Sequence, residues 1–371
     1  MQADLFCRVV DNYGDIGVCW RLARRLAHGH GWDVRLWVDD LSSFARIQPG
    51  IDAGAARQVC QEVDIVHWSA APDPALAARD VVIEAFACDP PEAFLASMRQ
   101  RHPVWINLEY LSAEAWVESC HGLPSQRPDG LVKHFFFPGF TPATGGLLRE
   151  TGLSAERDAF QADRDAQEAF LRGLGVADSL LSLRRNGART VSLFCYPSAP
   201  VDALARALAA PPGATLLLVP EGVAPRLEAA CAVPGGPAVA RLPFVAQPDF
   251  DRILWCADLN FVRGEDSFVR AAWAARPLAW QIYPQDENIH LEKLDAWLAR
   301  YPAPEPAADL IRAWNQEDAG AAAEAALAAA LRPGPWQAWN QAARDWDAAQ
   351  AARPDLAENL AGFCAELAKK R

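Results

Sequence analysis

No stretch of the 371-residue chain offers about 18 consecutive apolar residues, so a membrane-spanning helix is not expected. The opening "MQADLFCRVV" lacks a basic segment followed by a long apolar one, so no secretory leader is expected either. Positive charge is in short supply. Lysine and arginine number 35 against 47 acids, a net charge of −12. A non-specific nucleic-acid binder needs a basic footprint, and that class is excluded. An acidic protein still suits a basic partner. The nine cysteines form no C-x-x-C pair, and an odd number within apolar segments implies reduced, buried thiols in a cytoplasmic protein. H-E-x-x-H, zinc-spaced Cys/His clusters and G-x-S-x-G are all missing, which removes metallohydrolases and serine hydrolases. G-x-G-x-x-G is missing too, and with it the dinucleotide fingerprint. There are no heptads or repeats.

What remains is globular: 51% hydrophobic and 22% charged, and long enough for two cores. "DLFCRVV", "DVRLWVDD", "DIVHW", "VVIEAF" and "VWINLEY" are expected strands, separated by turns or by helical stretches such as "GVCWRLARRLAHGHG". That order predicts a mostly parallel sheet with right-handed crossovers. A glycine-, proline- and charge-rich region, from "HGLPSQRPDG" to residue 172, is the expected interdomain connection. The alternation restarts at "TVSLFCY" and ends in alanine-rich helices over 319–332, 336–352 and 356–369. The expected domains are 1–175, 176–350 and a final helix, 351–371, packing back on the first. The predicted class is α/β: two Rossmann-like domains facing each other across a cleft, with a helical C-terminus. Ligands bind at the carboxyl edge of such sheets.

Three segments could carry chemistry. In "VVDNYGDIGVCWRLARRL", Asp11 and Asp15 sit four residues apart, with Asn12, Tyr13, Gly14 and Gly17 completing a turn into a helix. Asp15 as a helix N-cap and Asp11 as a turn former account for the pair structurally. A general base with an orienting partner accounts for it chemically. In "NFVRGEDSFVRAAW", Arg263, Ser267 and the N–H groups of a helix start suit a diphosphate. Glu265 and Asp266 would repel phosphate, so they are expected to accept from sugar hydroxyls or to neutralise Arg263. An acidic first helical turn is the plainer explanation. In "SLFCYPSAP" and "PFVAQPDF", Phe194, Tyr196, Phe244, Phe250 and Gln247 could frame a nucleobase, or the aromatics could be core. "WQIYPQDENIHLEKL" offers Gln281, Tyr283, Gln285, Asp286, Asn288 and His290, a polar loop that either faces the cleft or is simply surface.

These segments, with "IEAFACDPP", "NLEYLSAEAWVESCHGLPS" and "FFFPGFTPATGGLLRE", resemble the EarP family of protein-arginine rhamnosyltransferases in blocks from residue 4 to about 300. The resemblance implies a GT-B glycosyltransferase that moves L-rhamnose from dTDP-β-L-rhamnose, with inversion, onto an arginine in the N-terminal domain of elongation factor P. That modification activates the factor for rescue of ribosomes stalled at polyproline. It implies Asp11, Asp15 and Glu265 as catalytic residues, with Asp15 the base. Arg263, Asp266 and Ser267 would contact phosphate and sugar, and Phe194, Tyr196, Phe244, Gln247 and Phe250 would hold thymine. Asn12, Tyr13, Gly14, Gly17 and Gln285 are further loop candidates. No cofactor, metal, membrane or nucleic-acid partner is implied. A GT-B enzyme acting on a small molecule or glycan fits the composition equally well, and a non-catalytic nucleotide-sugar-binding protein leaves the paired acids unexplained.

Overall fold

The computed structural model describes residues 1–10, 13–68, 76–209 and 213–370. It forms two compact units, Met1–Thr151 with Gln350–Arg371, and Gly152–Ala349. Among the described residues no helix is long and apolar enough to cross a membrane.

In the first unit the strands are β1 (Gln2–Cys7), β2 (Asp33–Val38), β3 (Arg57–Cys60), β4 (Val63–His67), β5 (Val81–Ala85), β6 (Val104–Leu108), β7 (Pro124–Gln126) and β8 (Val132–Phe136). The helices are α1 (Gly14–His30), α2 (Leu41–Ile47), α3 (Glu92–Arg101) and α4 (Trp116–Cys120). Sheet order is β3-β4-β2-β1-β5-β6-β8-β7, parallel except for the two edge strands. Five of the six β1 residues are buried, as a central strand covered on both faces requires. The fully buried Asp4 among them is held by Arg35 Nε at 2.6 Å and Trp37 Nε1 at 2.9 Å. Helix α1 stops at Gly31, whose φ of 65° is open to glycine at little cost.

The second unit opens with α5 (Leu153–Ala162), α6 (Arg164–Gly173) and α7 (Asp178–Arg185). Next come β9 (Arg189–Leu193), α8 (Val201–Ala209), β10 (Thr215–Pro220), α9 (Leu227–Cys231), β11 (Ala238–Leu242) and α10 (Gln247–Cys256). It continues through β12 (Leu259–Arg263), α11 (Gly264–Ala272) and β13 (Leu278–Gln281). The remaining helices are α12 (Ile289–Leu298), α13 (Glu305–Trp314), α14 (Gly320–Ala330) and α15 (Pro333–Ala351). The sheet order is β11-β10-β9-β12-β13, all parallel, so every strand points its carboxyl end to one edge.

The division falls at 151/152, not at 175/176. Leu171, Val176 and Leu181 pack with Leu216, Leu218 and Ile253, so the amphipathic helices before β9 belong to the second core. The glycine-rich region expected to connect the domains instead supplies β7 and β8 to the first sheet. The C-terminal helix Leu356–Lys369 returns to the first unit. Its Leu356, Leu360 and Cys364 join Trp20, Ala23 and Leu26 of α1, and Arg25 Nη2 donates to its N-cap Asp355 at 2.6 Å. The nine cysteines carry thiols rather than disulfides; Cys60 and Cys120 are half-buried rather than buried. Burial pushes Cys195 and Cys256 up to about 12, which leaves them protonated and inert.

Leu360 is fully buried against α1. The substitution Leu360→Ala should cost about 2–5 kcal/mol in urea unfolding of the intact protein. A loss below about 0.5 kcal/mol would mean that the helix does not seal this core.

Candidate active site

The carboxyl edge of the second sheet gathers most of the expected residues. Arg263 ends β12, and Gly264 turns the chain into α11 with φ 62°, a conformation that suits a residue without Cβ. Trp280 Nε1 fixes that turn by donating to the Gly264 carbonyl at 2.7 Å. The Arg263 guanidinium carbon lies 4.5 Å from the ring centroid of Phe194 and 4.7 Å from that of Tyr196. Arg263 Nη1 also donates to the Cys195 carbonyl at 3.3 Å. Stacking on two rings orients the cation and leaves N–H groups for an anion. Glu265 and Ser267, both half-buried, occupy the first turn of α11 with Asp266.

Asp266 faces a different arginine from the one expected. Its Oδ2 accepts from Arg270 Nε at 2.8 Å, one helical turn on, and from Gln247 Nε2 at 3.4 Å. Arg270 in turn grips both oxygens of Asp251 through Nη1 at 2.9 Å. Asp266 thus belongs to a buried network tying α11 to α10, and Gln247, 6% exposed, is drawn in at the start of α10.

Phe250, on the same helix, meets Phe194 edge-on, with centroids 5.6 Å apart. Phe244 is 40% exposed. Gln285 is exposed, its backbone N–H donating to His290 Nδ1 at 3.2 Å. Burial holds His290 below the usual histidine range, favouring the neutral ring that accepts this bond.

Two residues that the sequence offered in the polar segment "WQIYPQDENIHLEKL" take positioning roles. Gln281 is 3% exposed, accepts from the Tyr196 N–H at 2.8 Å and donates to Ser198 Oγ at 3.2 Å. The exposed Tyr283 meets Tyr196 edge-on at 5.8 Å. Gln281 ends β13 and Tyr283 follows it, and polarity at the end of a buried apolar strand is the signal that singled them out.

In the first unit, Asp15 is 4% exposed in the first turn of α1. It is not the N-cap. Tyr13 holds that position without a side-chain cap bond, while Asp15 Oδ2 accepts from the Val10 N–H at 2.8 Å. Asp39, just after β2, takes the Val9 N–H at 2.9 Å, so two carboxylates brace the chain as it leaves β1. Gly14 begins α1, Gly17 donates its N–H to the Tyr13 carbonyl at 2.9 Å, and the Tyr13 ring lies 5.5 Å from the Arg46 guanidinium carbon. Asp11 and Asn12 lie outside the described residues.

The turn after β5 escaped the sequence reading. Phe86, Ala87 and Asp89 all take positive φ, at a cost of order 1–2 kcal/mol each. Bonds to Leu108 O and Asn107 Oδ1 and a Phe86–Tyr110 stack at 4.3 Å hold the turn in place. Strain of this kind gathers at functional edges, and "IEAFACDPP" carries no glycine to announce it. Among the described residues no group of three or more His, Cys, Asp or Glu is placed to hold a metal ion.

Two Rossmann-like units with carboxyl-edge loops bearing a stacked arginine, aromatics and paired acids define a GT-B glycosyltransferase. Acinetobacter baumannii MurG shares this fold at a TM-score of 0.53 and 11% identity, over 98% of this chain and 99% of its own. The family model for Elongation-Factor P (EF-P) rhamnosyltransferase EarP matches residues 3–365, and the chain belongs to that family of protein-arginine rhamnosyltransferases. The protein-arginine rhamnosyltransferase of Pseudomonas putida is 51% identical over 97% of each chain, and that of Pseudomonas aeruginosa 49% identical over 98% of each. A solved structure concerned with EarP-mediated arginine glycosylation of translation elongation factor EF-P is 35% identical, with a TM-score of 0.64 over 98% of each chain.

Arg270 is 2% exposed between Asp251 and Asp266. Arg270→Met strands two buried carboxylates and should lower stability by about 3–5 kcal/mol in chemical denaturation. An unchanged midpoint would show that the network does not bind α10 to α11.

Proposed function

We propose that the second unit holds dTDP-β-L-rhamnose and that the enzyme transfers the sugar, with inversion, to an arginine in the N-terminal domain of elongation factor P. The observation that carries the reading is the Arg263 guanidinium laid across Phe194 and Tyr196 at the start of α11. A cation, a helix N-terminus and aromatic faces within one turn match a nucleoside diphosphate: charge for the diphosphate, ring faces for the base. Gln247, Phe244 and Phe250 complete the base pocket, and Ser267 and Glu265 lie where phosphate and sugar would be met. Asp266 acts through Arg270 and Gln247 to keep that turn in place. The family's elongation-factor name and the related EarP structure support the acceptor.

The acceptor guanidinium is cationic, so a carboxylate must hold it before any proton leaves. Asp15, with Asp11 beside it in sequence, serves here. One guanidinium nitrogen attacks C1 of the rhamnose, the C1–O bond to dTDP breaks on the opposite face, and the nitrogen's proton passes to Asp15. Glu265 meets the sugar as positive charge develops on its ring. Arg263 and the α11 N–H groups take up the leaving diphosphate charge, so the chemistry needs no metal. The net charge of −12 favours a basic patch around the target arginine. The modification serves translation of polyproline in the cytoplasm.

Mass spectrometry of elongation factor P after incubation with this protein and dTDP-rhamnose should show one deoxyhexose on one arginine, undiminished by EDTA. Asp15→Asn should bind dTDP as the parent does in calorimetry yet lose transfer by at least about 100-fold. Sugar on another residue type would sink the acceptor assignment, and lost dTDP affinity in Asp15→Asn would sink the division of labour.

A further inference from the structure

A pocket lies in the same unit, at the opposite edge of the sheet from Arg263. Arg164, Arg184, Arg189, Thr190, Asp258 and Trp336 line a cavity of about 500 Å³, together with side-chain amides from α15. It sits at the amino edge of the sheet: Arg189 and Thr190 open β9, and Asp258 immediately precedes β12. Arg263 ends that same β12, so the two sites are separated by the strand's length, roughly 13 Å.

The charge there runs against the rest of the molecule. In a chain of net −12, three arginines line the cavity, and Asp258 is the one carboxylate among the described lining residues. Asp258 is itself engaged, its Oδ2 accepting from the Thr190 N–H at 2.8 Å. The Arg189 guanidinium carbon lies 4.7 Å from the Trp336 ring centroid. Arg184 donates to Gln167 and to the Cys256 carbonyl, which are neutral groups. Burial lowers the pKa of Arg189 and, close by, of Arg276, although guanidinium stays protonated in either case.

Asp258 also acts on Arg189, and one carboxylate among three arginines leaves positive charge over. Half-buried cations in excess are costly unless an anion answers them. Beside them Thr190 is 1% exposed, and its Oγ1 has no hydrogen-bond partner among the described residues.

We infer that this pocket binds a phosphate-bearing small molecule at a site separate from that of the sugar donor. Guanidinium groups match phosphate oxygens in bidentate geometry, and Arg164, Arg184 and Arg189 bring three of them to the cavity. The cavity exceeds a lone phosphate and falls in the size range of metabolite sites, about 300–1,000 Å³. It is too small for a nucleic-acid strand, which the overall negative charge also repels.

The probe is inorganic pyrophosphate, titrated calorimetrically into the full chain already saturated with dTDP so that the donor site is filled. Binding should persist under dTDP and weaken with added salt. It should fall at least about tenfold in Arg164→Glu and in Arg189→Gln, with dTDP affinity unchanged in both. Arg164 is exposed, so its charge reversal leaves the fold intact. No heat from pyrophosphate at millimolar concentration would overturn the assignment. So would binding that dTDP abolishes, or binding that neither variant weakens, since either would put the anion elsewhere.

Discussion

Everything chemical in this protein depends on where a parallel sheet puts its strand-to-helix turns. Parallel strands share one direction, so each turn into a helix emerges at the same edge, and residues distant in sequence become neighbours. Phe194 and Tyr196 follow β9, Arg263 ends β12 and Gln281 ends β13. They meet because β9, β12 and β13 lie side by side in register, Phe261 beside Leu193 on one flank and Ala279 on the other. Without that register the arginine would have no rings to lie on.

The turns are then fixed one by one. Gly264 takes a positive φ and Trp280 holds its carbonyl; Asp15 and Asp39 hold the N–H groups that leave β1. Behind the second site, the Asp251–Arg270–Asp266 chain links two helices through buried charge. Such a network adds little net stability against apolar packing, but its directional bonds fix how the helices sit. That is what a site needs when it must present a cation at a set place.

Much of this was legible in advance. Apolar strands alternating with amphipathic helices announced two parallel sheets, because period and length of apolar runs follow from local geometry. "NFVRGEDSF" announced a strand-to-helix turn with a cation at its start, because an arginine-ended strand, a glycine and a helix start follow one another there. The Asp266 partner was not legible. Arg263 and Arg270 are both near in sequence, and only the helical turn and the position of α10 make Arg270 the neighbour. The Tyr196 partner of Gln281 and the strained Phe86 turn were hidden for the same reason, since the groups that meet there are far apart in sequence.

The sequence by itself determined the class of fold, the family and which loops carry acids, cations and rings, because periodicity, turn residues and idiosyncratic blocks are local properties. Tertiary structure alone decided the unit boundary at 151/152, since an amphipathic helix does not say which core its apolar face will meet. It also decided that Asp15 braces the first loop rather than capping α1. At the opposite edge of the second sheet it brought together arginines from α6, α7 and β9 that are ordinary when read singly. Charge becomes a site only when chain folding brings it together away from water.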